Sequence, residues 1–202
     1  MILTMLGSPT RDRAAERRTS TRREILDAAW EVARDQGLAQ ITLRDVAHRV
    51  GMRAPSLYSH FESKNAIYDA MFADAWTECL AVMRATADET PSNARAAIRL
   101  YSRSFFDFAV SDLARHQLMN QRTIPGFEPS PDAYAPAVAA LEDLHAYLAK
   151  YDVTRQEDVD LSIALVGGLI DAQLANDPGG DRYSRLLDRA IDMYVDNLSL
   201  PA

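Results

Sequence analysis

The stretch TLRDVAHRVGMRAPSLYSHFESK, residues 42–64, decides the fold of the N-terminal part of this chain. Thr42 is a favoured N-cap residue with Asp45 three positions later, and apolar side chains then recur at helical spacing as far as Val50. Gly51 follows where this helix must stop, because glycine takes positive φ without a steric penalty. The pattern predicts a short amphipathic helix that ends in a tight turn.

A second short helix is predicted from about Ala54 to His60. Pro55 lies in its first turn, where a missing backbone N–H costs nothing. Ala47 is small enough for the two helices to cross closely, and Met52 and Leu57 supply apolar contacts at the crossing. Two short helices joined by a glycine turn are typical of a helix-turn-helix, which places its second helix in the major groove of DNA.

The outward side chains of this second helix are short or phenolic, as expected of a surface that reads base edges. We expect Arg53, Ala54, Pro55, Ser56 and Ser59 to set which DNA sequence is bound, although the protein sequence does not reveal which bases they choose. These outward residues are Arg53, Ala54, Ser56, Ser59 and the polar end of Tyr58.

The longer run TLRDVAxxVGMxxxSLYxHFxSK resembles the N-terminal DNA-binding domain of the TetR/AcrR family of bacterial transcriptional regulators. The resemblance extends over roughly Thr21 to Trp76, and its LYxHFxSK part is the most specific. It implies three helices in a DNA-binding head, a ligand cavity enclosed by helices 4 to 7, and two final helices that form a four-helix dimer interface with their copies. It also implies a homodimeric repressor that leaves a near-palindromic operator when a small, largely apolar effector fills the cavity.

The resemblance also implies roles for single residues. Arg44 matches a position that reaches a base or a phosphate, whereas Tyr58, His60 and Lys64 match positions that hold the DNA backbone. Lys64 begins a helix, where the helix dipole disfavours a cation, so we expect its charge to contact a phosphate. His60 is equally well explained without DNA, by packing of its side chain beside Phe61. The predicted DNA-binding residues are Thr42, Arg44, Arg53, Ala54, Pro55, Ser56, Tyr58, Ser59, His60 and Lys64.

The charge of the chain is divided unevenly between its two parts. Its 202 residues carry a formal net charge of -7. Residues 1–64 hold 11 Lys and Arg against 8 Asp and Glu, whereas residues 65–202 hold 11 against 21. A positive head attracts phosphate, and an acidic body limits nonspecific binding to nucleic acid.

No apolar run approaches the roughly 18 residues that span a bilayer, and MILTML is too short for a signal peptide, so we expect a cytoplasmic protein.

The remaining periodicity predicts an all-α protein of about nine helices with no sheet. We expect residues 1–19, with Arg11, Arg13, Arg17 and Arg18, to form a flexible basic arm that either contacts DNA or is simply solvated. Residues 20–64 form the helix-turn-helix domain, and residues 65–202 form a helical ligand-binding and dimerisation domain. The predicted N-caps of the helices outside the helix-turn-helix are Thr21, Ser63, Thr90, Ser111, Ser130 and Thr154.

Two sets of apolar residues in the second domain are candidates for binding. The first is a largely aromatic set with a few polar groups, the usual composition of a ligand cavity, although plain core is the alternative for each member. The predicted ligand-binding residues are Trp76, Tyr101, Phe105, Phe108, His116, Met119 and Tyr134.

Near the C-terminus, surplus apolar surface and the pair Gly167 and Gly168 favour close contact between helices. The predicted dimer-interface residues are Leu165, Val166, Gly168, Leu169, Leu187, Ile191 and Tyr194.

Other classes of function find little support in the sequence. It has no G-x-S-x-G, G-x-G-x-x-G, P-loop or H-E-x-x-H motif, and its single cysteine, Cys79, has no evident histidine partner. His116 and His145 lie on separate predicted helices without a carboxylate at metal-ligand spacing, so we expect no metal site and no cofactor. The alternatives that remain are an activator, a DNA binder without an effector, and a small α-helical enzyme or lipid-binding protein.

Overall fold

The structure is a computed structural model that describes residues 13–89 and 91–198. Within these residues the chain forms nine α-helices and no strand, which confirms the predicted all-α class. None of these helices combines the length and the apolar character needed to cross a membrane. The helices are α1 Arg13–Gln36, α2 Leu43–Val50, α3 Ala54–Leu57, α4 Lys64–Ala87, α5 Ala94–Val110, α6 Leu113–Asn120, α7 Pro131–Ala149, α8 Gln156–Asn176 and α9 Leu187–Asp196, with single 3₁₀ turns at Leu38–Gln40 and Ser184–Leu186.

The predicted start and stop of α2 are confirmed. The Thr42 hydroxyl accepts a hydrogen bond from the backbone N–H of Asp45 at 3.1 Å. Gly51 has a φ of 74°, and the N–H of Met52 reaches back to the carbonyl of Ala47 at 2.8 Å. This left-handed glycine reverses the chain within one residue, so that α3 packs across α2.

Two predicted boundaries near the head are wrong. Helix α1 begins at Arg13, so residues 13–19 are helical and Thr21 is no N-cap, whereas the first part of the predicted arm, with Arg11, lies outside the described residues. The residues AAERR favour helix, and a helix already nucleated by the apolar face that follows extends through them at little cost. Helix α3 ends at Leu57 and continues as a turn through His60.

Some of the predicted N-cap residues are confirmed, and others are not the N-caps in the structure. The N-caps of α4 and α7 are Ser63 and Ser130 as predicted. Helix α6 is capped by Asp112 and not by Ser111, because the Asp112 carboxylate accepts from the backbone N–H of Arg115, the third residue of the helix. Asn93 caps α5 in the same way, and Thr90 lies outside the described residues. Helix α8 begins after Arg155 without a side-chain cap, so the prediction for Thr154 is wrong.

The core has two parts, both reached by α5. One joins the head to α4, α6 and α7, and the other lies between α5, α8 and α9. A row of arginines on α5, one turn apart, faces a row of aspartates on the antiparallel α9, and this fixes the register of the two helices. The paired residues are Arg95 with Asp192 and Asp196, Arg99 with Asp192, and Arg103 with Asp188.

Part of the predicted dimer interface is buried inside the protomer. Leu187, Ile191 and Tyr194 are at most 4 % exposed, because their side of α9 packs on α5 and α8. Val166 is 6 % exposed and also belongs to this core, so these four residues do not form an outer surface. Gly168 is exposed, and Leu165 and Leu169 are half-buried.

The glycine pair does not bring helices together within the protomer. A Cβ built at Gly167 or Gly168 meets no described atom within 4 Å. The exposed apolar residues of the C-terminal helices are instead Leu161 and Ile163 on α8, Leu186 immediately before α9, and Met193 on α9.

Candidate nucleic-acid interface and internal cavity

Helix α3 presents one face to solvent and anchors itself by the other. Leu57 is completely buried, whereas Tyr58 is 55 % exposed. Arg53, Pro55, Ser56 and Ser59 are also exposed, and Ala54 is half-buried against the core. Most of the predicted base-reading residues therefore lie on one open surface, and neither Ser56 nor Tyr58 is covered by the body of the molecule.

An arginine of α1 holds the turn that follows α3. The Arg22 guanidinium donates to the backbone carbonyl of His60 and lies over the Phe61 ring, 4.1 Å from the ring centroid. Arg18, one helical turn earlier, lies near the carbonyl of Ser59 at 3.5 Å. Our sequence reasoning missed this role of Arg22. The signal was the four-residue spacing of these arginines, which places both on the same face of α1.

His60 is only half-buried, and both explanations of it stay open. Its Nδ1 atom is buried, and no described residue forms a hydrogen bond with it. Its backbone carbonyl is held by Arg22, so the residue is fixed in place by its main chain. The predicted contact of His60 with a phosphate stays a prediction.

Some of the cationic side chains of the head form ion pairs with carboxylates, and others do not. Arg23, Arg34 and Arg49 form ion pairs with carboxylates, and two such partners raise the pKa of Arg49. Arg44, Arg53 and Lys64 form no ion pair with any residue that the structure describes. Arg53 is the exposed N-cap of α3, so this unpaired positive charge lies beside the exposed surface of that helix.

A cavity of about 470 Å³ in the second domain is lined by residues of α4 to α8. It is partly open to solvent, since Tyr134, Leu141 and Ile163 of its wall are exposed. Five of the seven residues predicted for ligand binding lie in its wall, namely Trp76, Tyr101, Phe105, His116 and Tyr134. Further wall residues that our sequence reasoning missed include Cys79, Met83, Asn120, Leu141, Ile163 and Asp171. The aromatic stripe on α5 pointed to this site, whereas the contributions of α7 and α8 depend on how these helices pack.

Phe108 and Met119 do not lie in the wall of this cavity, and their prediction as ligand residues is corrected. Phe108 lies beneath the guanidinium of Arg115, whose carbon is 3.8 Å from the ring centroid. Met119 faces a neighbouring hollow of about 420 Å³, together with Phe72 and Ile124. Both residues lie three positions after a cavity residue, Phe105 or His116, but their contacts are with Arg115 and with the neighbouring hollow.

The polar groups of the cavity wall are mostly paired. His116 is 4 % exposed, and its Nε2 lies 2.9 Å from Asp171 Oδ1, a carboxylate partner that comes from a distant part of the sequence. Asn120 lies 3.3 Å from the other ring nitrogen of His116. Burial raises the pKa of the Cys79 thiol to about 12, so this thiol stays neutral. Among the described residues, no three His, Cys, Asp or Glu side chains form a group that suits a metal ion.

The head is tied to the second domain at three polar points. Arg23 donates to Asp74 of α4 at 2.6 Å, and the Tyr68 hydroxyl donates to the carbonyl of Leu38 at 2.5 Å. Arg34 donates to Asp112 at the start of α6 at 2.8 Å. Helix α4 therefore contacts both the head and the cavity.

Comparison with known proteins agrees with this geometry. Residues 25–71 match the family described as "Bacterial regulatory proteins, tetR family". A segment of 102 residues is 31% identical to the HTH-type transcriptional activator FasR of Mycolicibacterium smegmatis and covers 50% of this chain and 46% of that protein. A segment of 94 residues is 32% identical to the HTH-type transcriptional repressor KstR2 of Mycobacterium tuberculosis and covers 46% of this chain and 47% of that protein. The chain thus spans about half the length of these two relatives.

Solved structures show that the likeness of fold extends over nearly the whole chain. The crystal structure of the transcriptional regulator FadR from Bacillus subtilis, in complex with stearoyl-CoA, superposes with a TM-score of 0.67. The superposition covers 87% of this chain and 98% of FadR at 16% sequence identity. At this identity the comparison supports the fold and not the ligand.

Proposed function

Because the chain belongs to the TetR family of bacterial regulatory proteins, we propose that it binds a near-palindromic DNA operator as a homodimer and that a small, largely apolar effector controls this binding. The observation that carries the proposal is the exposed surface of α3, with Leu57 fully buried beneath it and Tyr58 open to solvent. A helix held in this way enters the major groove with its outer side chains against base edges.

Contacts with phosphate supply most of the affinity in this proposal, and contacts with bases supply the sequence preference. Lys64 and Arg44 carry charges that no described carboxylate neutralises, so both are available to phosphates. The exposed Arg53, Ser56 and Ser59 are placed to select the sequence. Tyr58 offers its hydroxyl to the DNA backbone from the end of α3.

The effector acts through α4 in this proposal. The same helix begins with Lys64 at the DNA side and carries Trp76, Cys79 and Met83 in the cavity wall. An effector shifts the equilibrium only if it binds better to the conformation that does not fit the operator. The superposition with FadR, solved with stearoyl-CoA, supports a small-molecule site within this fold.

The second copy of the chain is expected on the C-terminal helices. Leu161 and Met193 are 54 % and 60 % exposed, and Leu186 lies two turns before Met193. Apolar surface on two successive helices is typical of a subunit interface. The half-buried Leu165 and Leu169 and the exposed Gly168 belong to α8 and stay candidates for this interface.

Repression is the leading form of control, and activation is the second candidate. KstR2 is named a repressor and FasR an activator, and both are about equally similar to this chain over about half its length. An effect on transcription of either sign is consistent with the same contacts between α3 and DNA.

Selection of bound duplexes from random DNA, followed by sedimentation of the free protein, tests this proposal. We expect an enriched sequence with two related half-sites about 34 Å apart, which is one turn of the double helix. We also expect two subunits for the wild type and one subunit for Leu161→Asp or Met193→Asp, because each buries a charge in the interface. Failure to prefer any duplex over bulk competitor at moderate ionic strength contradicts DNA recognition, and an unchanged dimer in both variants places the interface elsewhere.

A further inference from the structure

Trp76 lines the cavity, and its indole nitrogen has no hydrogen-bond partner among the described residues. Trp76 Nε1 is buried, and no residue of the described chain accepts its proton. The ring is half-buried and lies beside Phe72, whose ring centroid is 6.4 Å away. Because buried N–H groups are nearly always paired in folded proteins, this nitrogen marks a place where an acceptor from outside the chain is favoured.

Several other polar groups of the wall have partners within the protein, and none of the hydroxyls of Tyr101, Ser102 and Tyr134 is a fully buried donor that lacks an acceptor. His116 is held by Asp171 and Asn120, and the hydroxyl of Ser162 donates to a backbone carbonyl of its own helix. Next to Trp76 on α4, Cys79 stays a neutral thiol. The indole N–H of Trp76 is therefore a buried donor to which a ligand can supply the missing acceptor.

The charges of the wall disfavour an anion. Its lining residues include no lysine and no arginine, and their one carboxylate belongs to Asp171. A buried anionic group without a cation nearby loses its hydration and gains no ion pair. Most of the other wall residues are aliphatic or aromatic, such as Met83, Phe105 and Leu144, and they suit an apolar body with flat faces.

We propose that the effector is an uncharged, largely apolar molecule whose carbonyl or ether oxygen accepts a hydrogen bond from Trp76 Nε1. The inference rests on the proposed effector cavity and names the chemical class that this cavity selects. The nitrogen is covered in the structure, so the proposal includes a turn of the half-buried ring that brings the N–H to the acceptor. A ligand that lacks such an oxygen leaves the N–H unpaired, and this loss gives the discrimination.

Four naphthalene probes of similar shape test the proposal by isothermal titration calorimetry. They are 2-acetylnaphthalene, which has a carbonyl acceptor, 2-ethylnaphthalene, which has none, 2-naphthoate, which is an anion, and 2-naphthyltrimethylammonium, which is a cation. We expect the ketone to bind the wild type about tenfold more tightly than the ethyl compound, as one buried hydrogen bond provides. In Trp76→Phe, which keeps an aromatic ring, this preference should disappear.

Trp30→Phe is the matched control, because it makes the same change at the other tryptophan. Trp30 is 6 % exposed in α1 and does not line the cavity, so this variant should keep the preference for the ketone. Equal binding of the ketone and the ethyl compound to the wild type overturns the proposal, as does a preference that survives in Trp76→Phe.

The remaining outcomes separate this inference from the proposed function. Tighter binding of the naphthoate or the ammonium probe than of the ketone overturns the uncharged class and leaves the effector cavity intact. Failure of all four probes to bind overturns the inference together with the cavity as an effector site. Operator binding, measured without any probe, tests the DNA-binding proposal independently of these results.

Discussion

Arg34 Nε donates to Asp112 Oδ2 at 2.8 Å and thereby joins the last turn of α1 to the first turn of α6. Asp112 also caps α6, because its other carboxylate oxygen accepts from the backbone N–H of Arg115 at 3.1 Å. Its side chain is only 10% exposed, whereas that of Arg34 is 52% exposed. One carboxylate therefore both starts a helix of the cavity wall and attaches that helix to the DNA-binding head.

Two substitutions at Asp112 separate these roles. Asp112→Asn keeps an oxygen for the cap and loses the charge, so we expect it to lower the free energy of unfolding by less than about 1 kcal/mol. Asp112→Ala also removes the cap and should lower it by roughly a further 1 kcal/mol. Urea unfolding measures both values, and equal losses in the two variants would mean that the cap contributes nothing.

Gly51→Ala should destabilise the head, because its φ of 74° is unfavourable for a residue with a Cβ. We expect a loss of about 1–2 kcal/mol in the free energy of unfolding. Gly168→Ala is the contrast, since this glycine is helical and no other part of the protomer lies near the added methyl group, and it should raise the free energy of unfolding of the single subunit by about 0.5–1 kcal/mol. Thermal unfolding of both variants checks the contrast, and a Gly51→Ala protein as stable as the wild type contradicts it.

Lys64→Ala and Tyr58→Phe should weaken binding to all duplexes alike, because the proposed contacts are to the DNA backbone. For Lys64→Ala we expect the slope of log K against log salt to fall by about 1. Substitution of Ser56 or Arg53 should instead change which sequence is preferred. Titrations of an operator and a scrambled duplex at several salt concentrations measure these effects, and an unchanged slope removes the phosphate role from Lys64.

Asp192 should contribute stability that depends on pH. Hydrogen bonds from Arg99 and Arg95 lower the pKa of its carboxyl group in the folded protein. A lowered folded-state pKa means that the contribution is fully present above the unfolded value of about 3.9 and is lost as the pH falls through the folded value. The wild type should therefore exceed Asp192→Asn in stability at pH 7, and the difference should shrink below about pH 4. Unfolding curves at several pH values test this, and a constant difference contradicts it.

The local chemistry of the helix-turn-helix was predictable because it depends on neighbours in sequence. Thr42, Gly51 and Ser63 act through hydrogen bonds or a dihedral angle within five residues, and the structure has each as expected. The missed start of α1 is different, since an exposed helix without an apolar face has no periodic signal. The caps at Ser111 and Thr154 failed because a stronger acceptor or another helix start lay one or two residues away.

The sequence by itself determined the class of the fold, the position of the reading helix and the aromatic character of the cavity. These follow from apolar spacing and turn residues, whose effects are local. Only the tertiary structure decided that Leu187, Ile191 and Tyr194 are core and not interface, and that Asp171 meets His116 across 55 positions of the chain. An amphipathic pattern shows that a helix has a buried side, but which partner covers that side depends on the packing of helices distant in sequence.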